Sequence, residues 1–147
     1  MGGEAACRAQ LDGMMARAAS DARFARAYRS AVEAYAMQHV ERFGVSAKSY
    51  AAHLTGLCCV VEHDAEPAML AAIARWLNGP SPVEKPSVPP PPRGRLTLDD
   101  ARRAEAPEVH AARVRDWSAD VWDAYREQHA LARRWLEEAT RAPARRH

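Results

Sequence analysis

The chain has 147 residues, which is enough for one ordinary domain and excludes two domains of typical size. Its 21 basic and 19 acidic residues give a formal charge of only +2. A nucleic-acid binder typically carries a clear excess of basic residues, so the sequence does not favour that class of protein. No long apolar run opens the chain, so neither a signal peptide nor a membrane span is predicted. These features predict a single domain over residues 1–147.

The three cysteines are Cys7, Cys58 and Cys59. Their odd number and one adjacent pair do not make a disulfide framework, because neighbouring side chains on a helix point about 100° apart. This favours a reducing compartment, and we predict a cytoplasmic protein. Cys58 falls on an apolar helix face and is interpreted as a small core residue. Abundant Arg and Ala indicate a GC-rich bacterial genome.

Helical spacing of apolar residues begins near the N terminus. A first helix is predicted over residues 4–18. Ser20 is the predicted N-cap of a second helix that runs without interruption to Phe43 and ends at Gly44. Its apolar face carries Tyr35. Glu33 precedes this face and could point inward, but it is interpreted as a surface residue by default because the sequence indicates no partner for it.

A second pair of helices follows. Ser46 is the predicted N-cap of a helix that ends near His63, and the short connection makes it antiparallel to the preceding helix. Pro67 is placed in the first turn of a shorter helix that Asn78 and Gly79 terminate.

Residues 79–96 are rich in proline and can be neither helix nor central strand. Two interpretations stand: a strap that crosses the helices, which we favour because helical sequence resumes directly afterwards, and a linker or ligand for a proline-recognising domain. Thr97 then has the form of an N-cap for a short helix.

The last predicted helix runs from Glu108 to about Thr140, with residues 141–147 as a flexible tail. Trp117 and Trp135 lie at helical spacing and are assigned to the core. No segment alternates apolar and polar residues with a period of two for long enough to predict a sheet. The sequence therefore predicts an all-α helical bundle of about five helices, with a long C-terminal helix and a proline-rich strap between helices.

Four stretches carry a resemblance to a known family: AYAMQH, SAKSYAAHLTGL, RGRLTLDD after the strap, and HAARVRDWSADVWDAYREQHALARRWL. Together they resemble the bacterial proteins of the domain of unknown function 5946 family, over about residues 7 to 136. That family implies no agreed activity. Its members often carry a proline after the QH pair, where this chain has Val40. Some begin with a Cys-x-x-Cys element, whereas Cys7 stands alone, so no N-terminal zinc site is expected.

The histidines are the candidate metal ligands, because neutral imidazole binds zinc, nickel, iron and copper and helix bundles build metal sites from inward-facing side chains. His39, His53, His110 and His129 all lie within predicted helices. An antiparallel hairpin would place His39 and His53 at similar height. In an unbroken last helix, His110 and His129 are roughly 28 Å apart, so at most three of the four could share one site.

Two functions are therefore considered. The first is a divalent-metal-binding bundle, acting as a small metal-dependent enzyme, with His39 and His53 as ligands. The alternative is a non-enzymatic interaction or accessory protein that holds an unknown protein partner or small molecule; a homodimer is compatible with both. No phosphate loop, zinc-peptidase motif or serine elbow is present. No nucleic-acid or membrane partner is predicted.

Overall fold

The structure is a computed structural model, and it describes residues 22–80, 83–102 and 106–141. Within these ranges the regular structure is helical throughout, which confirms the all-α prediction. No helix in the same ranges is long and apolar enough to cross a membrane. The predicted helix over residues 4–18, its successor's cap at Ser20 and nearly all of the tail lie outside the described residues. The helices are α1 (Ala22–Gln38), α2 (Val40–Phe43), α3 (Ala47–Glu62), α4 (Pro67–Asn78), α5 (Leu98–Arg102), α6 (Pro107–Ala124) and α7 (His129–Arg141), with a 3-10 turn at Arg126–Gln128.

Local capping sets the starts of α3 and α4, as predicted. The Ser46 hydroxyl accepts a hydrogen bond from the Ser49 backbone N–H, and the Ser49 hydroxyl accepts one from the Ser46 N–H, so two amides at the helix end are satisfied. Pro67 occupies the first turn of α4, where its missing N–H costs nothing.

α1 packs against α3 and, most extensively, against α6. Its small buried residues allow these neighbours to approach closely, and large side chains from the other helices fill the remaining space. Trp117 is fully buried and Trp135 is nearly so, which confirms their assignment to the core. The largest fully buried side chains include Trp117, Tyr50, Tyr125, Met37, Leu54 and Leu57.

The prediction of one unbroken helix up to Phe43 is wrong. The helix ends at Gln38, His39 has backbone angles of φ −116° and ψ 46°, and the short helix α2 begins at Val40. The Arg42 N–H bonds to the His39 carbonyl, so the Gln38 carbonyl is available to other donors. The break lies where members of the resembling family often have proline, a residue favoured at the first position of a helix.

Side chains from distant segments use the carbonyls at this break. The Tyr125 hydroxyl donates to the Met37 carbonyl at 2.5 Å, and the Arg93 guanidinium donates to the Gln38 carbonyl at 3.0 Å. Burial raises the pKa of Tyr125 well above its ordinary value, so its hydroxyl stays protonated as a donor. Tertiary hydrogen bonds thus compensate for the interrupted helix.

The prediction of a long C-terminal helix from Glu108 to Thr140 is also wrong. α6 ends at Ala124, Tyr125 has φ −102° and ψ 21°, and the 3-10 turn separates α6 from α7. Consequently the separation of about 28 Å between His110 and His129, which assumed a straight helix, does not apply. The interruption lies at Tyr125, whose hydroxyl donates to the Met37 carbonyl.

The proline-rich segment is a strap bound to the bundle. The Gln38 amide donates to the carbonyls of Arg93 and Leu96 at 3.1 and 2.6 Å, and the Gln128 amide donates to the Ser87 carbonyl at 2.7 Å. The Gln38 side chain, at the end of α1, thus holds the strap against the bundle. These bonds support the strap interpretation over that of a detached linker.

Arg93 and Gly94 fix the end of the strap. Arg93 is only 3% exposed, and its guanidinium donates to the Pro89 carbonyl and pairs with both carboxylate oxygens of Glu41. That pairing lowers the pKa of Glu41. Gly94 has φ +92°, and a Cβ there would lie 3.0 Å from Cγ of Asp120, whose carboxylate accepts from the next two backbone amides.

We predict that Arg93→Ala lowers the free energy of unfolding by about 3 kcal/mol, because it removes several charge-assisted hydrogen bonds and leaves the Pro89 and Gln38 carbonyls without their donor. Arg95→Ala is the matched control, since that side chain is exposed; its change should stay within about 0.5 kcal/mol. Urea denaturation followed by circular dichroism measures both. Equal effects of the two substitutions would contradict this role of Arg93.

Candidate functional site

The least expected side chain of the fold is Glu33. The sequence indicated a surface position, and that interpretation is wrong: Glu33 is 2% exposed, in the middle of α1. A carboxylate taken out of water is costly unless charged or hydrogen-bonding partners surround it. Glu33 and its neighbours therefore define the candidate site.

Two cationic or basic side chains meet this carboxylate. Nδ1 of His53, on α3, lies 2.8 Å from Oε1 of Glu33, and the guanidinium of Arg29, one turn earlier on α1, lies 3.2 Å from Oε2. An ionised carboxylate only accepts hydrogen bonds, and beside an ionised Glu33 it is therefore Nδ1 of His53 that carries the proton. Nε2 is then left as the basic nitrogen whenever the ring is neutral.

A glycine in α3 makes room for the carboxylate. A Cβ on Gly56 would lie 2.6 Å from Cδ and 3.2 Å from Oε1 of Glu33. Glycine in the interior of a helix costs about 1 kcal/mol relative to alanine, so its presence needs a compensating reason. Here that reason is the close approach of a buried carboxylate to the α3 backbone.

His53 spans the boundary between this interior and the solvent. Its side chain is 28% exposed while that of Glu33 is 3% exposed, so the partly exposed ring is held at Nδ1 by a buried carboxylate. Glu33 supplies the hydrogen bond that the structure gives to His53. The arrangement can therefore fix the orientation of a partly exposed imidazole.

His39, the predicted partner of His53, has different surroundings. Its ring lies 4.6 Å from that of Tyr35, centroid to centroid, and its charge contributes to lowering the pKa of Glu41. His39 lies beyond the end of α1, at the break before α2, whereas Glu33 lies in the middle of α1. Nδ1 of His53 contacts Glu33.

The other two candidate ligands lie elsewhere in the fold. His110 is 1% exposed in the first half of α6. His129 opens α7, where its Nε2 donates to the Trp122 carbonyl at 2.7 Å and its ring stacks on the Trp122 indole at 3.7 Å with an angle of 8° between planes. Across the described ranges, no group of three or more His, Cys, Asp or Glu side chains could hold a metal ion.

The interpretation of Cys58 as a core residue is confirmed, and its neighbour Cys59 is buried as well. Cys58 and Cys59 are both fully buried. Burial and the nearby Glu62 carboxylate raise the pKa of Cys58 to about 12, and burial raises the pKa of Cys59. Both thiols therefore stay protonated near neutral pH, which is unfavourable for a nucleophile. Arg133 on α7 pairs with Glu62 and lowers the pKa of that carboxyl, which links α3 to α7.

Sequence reasoning selected His53 and missed Glu33. The signal that could have found it was Gly56, an otherwise unexplained glycine inside a helix predicted to lie antiparallel to α1. Pairing the two helices around their turn brings position 33 opposite position 56. The periodicity of apolar residues describes one helix at a time, so it does not show that a charged residue of one helix lies opposite a glycine of another.

Comparison with known proteins gives a family and no more. The sequence model described as "Family of unknown function (DUF5946)" matches residues 1–126, most of the chain. No curated protein and no solved structure matches the sequence. The family resemblance stated above is confirmed, and the comparison adds no activity, ligand or partner.

We predict that Gly56→Ala destabilises the fold by about 2 kcal/mol, because the added methyl group must displace the Glu33 carboxylate. In a Glu33→Ala background the same substitution should instead stabilise by up to about 1 kcal/mol, the ordinary gain for alanine in a helix. Chemical denaturation of the four variants measures this reversal. A destabilisation of the same size in both backgrounds would show that Glu33 is not the obstructing group.

Proposed function

The chain belongs to the family of unknown function DUF5946, and we propose that it binds a divalent transition-metal ion through Nε2 of His53, with Glu33 as the carboxylate behind that ligand. One observation carries the proposal: the hydrogen bond of 2.8 Å between Nδ1 of His53 and a carboxylate that is 3% exposed at its side chain. Histidines that ligate metals usually donate their other ring N–H to a carboxylate, a carbonyl or a water.

The paired carboxylate has two effects on such a ligand. It fixes the tautomer, so that Nε2 and not Nδ1 is the free base, and it makes the imidazole a stronger electron donor to the metal. It also places a negative charge near the bound cation. Because Gly56 holds Glu33 closely, the ring is oriented before any metal arrives.

His129 is the strongest competing ligand, since its Nε2–H donates to a carbonyl and its Nδ1 faces away from that bond. Its position at the first residue of α7 disfavours it. The N terminus of a helix carries a partial positive charge, which opposes the binding of a cation there. Among the described residues, no carboxylate bonds to the His129 ring as Glu33 bonds to the His53 ring.

A metal ion held by few protein ligands keeps coordination positions for water or substrate, as catalytic sites do. Zinc, nickel, iron and copper all accept imidazole nitrogen. A bound ion could thus polarise a substrate oxygen or acidify a bound water. This is the sense in which the proposed site would support a small metal-dependent enzyme.

We expect protein purified without an affinity tag and freed of metal by a chelator to bind Zn²⁺ saturably in isothermal titration calorimetry, and His53→Ala to abolish this binding. Glu33→Gln keeps the size of the side chain but removes its charge, so affinity should fall 10- to 100-fold.

His63→Ala is the matched control, because His63 is an exposed imidazole at the end of the same helix. It should bind Zn²⁺ like the wild type, and so should His129→Ala. Unchanged binding by His53→Ala would exclude His53 as the ligand, and loss of binding in His129→Ala would move the site to α7.

A further inference from the structure

A cavity of about 380 Å³ lies between α1, the C-terminal end of α3 and α6, and neither Glu33 nor His53 is among the residues that line it. Its volume is at the lower end of the range for small-molecule sites. We propose that this cavity binds a small zwitterion with an aliphatic body, namely an aliphatic α-amino acid. The proposal goes beyond metal binding and does not depend on it.

The buried part of the cavity lining is apolar. Ala27 of α1, Val60 of α3 and Val114 of α6 all line the cavity, and all three are buried. Three helices thus supply carbon surface to the same space, and transfer of an aliphatic group from water to such a surface is favourable. This lining favours a ligand with an aliphatic side chain over a purely polar one.

Two of the helices that form the cavity are fixed against each other. α1 packs most extensively against α6, and the hydroxyl of Ser118 on α6 donates to the Ser30 carbonyl on α1 at 3.4 Å. Both serines line the cavity, and Ser118 is only 2% exposed. The walls are therefore in place before a ligand binds, which lowers the entropic cost of binding.

Charged side chains of both signs border the cavity from different elements. Arg115 belongs to α6 and Asp64 to the connection between α3 and α4, and both residues are exposed. A guanidinium binds a carboxylate through two parallel hydrogen bonds, and a carboxylate accepts hydrogen bonds from an ammonium group. Asp116 also lines the cavity, so a zwitterion complements these charges better than a ligand with a carboxylate alone.

An aliphatic α-amino acid carries all three complementary groups on one carbon atom. Its carboxylate matches Arg115, its ammonium group matches Asp64, and its side chain matches the buried valines. A ligand of this size also suits a cavity of about 380 Å³.

Titration of the full chain with L-leucine, followed in proton–nitrogen NMR spectra, tests the proposal. We expect saturable shifts centred on Val60, Val114 and Ser118. L-leucinamide lacks the carboxylate, isocaproate lacks the ammonium group, and glycine lacks the aliphatic side chain. Each should bind about tenfold more weakly, or less, because each leaves one part of the cavity without its counterpart.

Two substitutions assign the charged groups. Arg115→Ala should weaken L-leucine binding about tenfold and leave L-leucinamide binding unchanged, because the amide offers the guanidinium no charge. Asp64→Asn should weaken L-leucine binding and leave isocaproate binding unchanged; asparagine tolerates the φ of +50° at this position as aspartate does. Arg134→Ala and Asp123→Asn, at exposed positions outside the cavity, are the matched controls. They should bind L-leucine like the wild type, and so should His53→Ala.

Absence of saturable shifts with L-leucine, or shifts confined to residues outside the cavity, would overturn the proposal. Equal affinities for L-leucine and glycine would also overturn it, as would wild-type affinity for L-leucine in Arg115→Ala or loss of L-leucine binding in His53→Ala. Zn²⁺ binding is measured separately, so failure of this proposal and failure of the metal site are distinguishable.

Discussion

A carboxylate buried between two helices constrains the arrangement of this fold. Glu33 cannot remain charged in the interior without partners, and its two partners come from one turn earlier on α1 and from the facing helix α3. Gly56 completes the requirement by leaving space beside the carboxylate. Together these contacts fix how α1 and α3 align, and the same alignment holds Nδ1 of the His53 ring against the buried carboxylate.

A second constraint comes from interrupted helices. The break at His39 makes backbone carbonyls available in the centre of the bundle, and Tyr125 and Arg93 donate to them. Tyr125, which follows the end of α6, and Arg93, which fixes the strap, thus donate hydrogen bonds to the same region of α1. The strap is structural in this sense: its arginine belongs to the interior, and the peptide carbonyls at Ser87, Arg93 and Leu96 are bound by side chains of the bundle.

Sequence reasoning succeeded where the cause is local. Ser46 and Pro67 mark helix starts because capping needs only a few neighbouring residues, and the apolar periodicity identified Trp117 as core. It failed at His39 and Tyr125, where the breaks are matched by hydrogen bonds to residues far along the chain. With Val40 in place of the family's frequent proline, no local signal marks the first break.

The candidate site, too, could be predicted from the sequence only in part. His53 was identifiable as an imidazole within a predicted helix, whereas its orientation depends on Glu33, twenty residues earlier in the chain. Periodicity assigns each residue to a face of its own helix but does not say which polar groups meet across two helices. His39 and His53 illustrate this: similar height along a hairpin did not give them the same neighbours.

The most direct measurement of the central claim is the tautomer of His53, read from long-range proton–nitrogen NMR correlations and assigned by comparison with His53→Ala. The account predicts a proton on Nδ1 and a bare Nε2 when the ring is neutral, and loss of this preference in Glu33→Ala. A neutral ring that carries its proton on Nε2, or a tautomer unaffected by Glu33→Ala, would contradict the account.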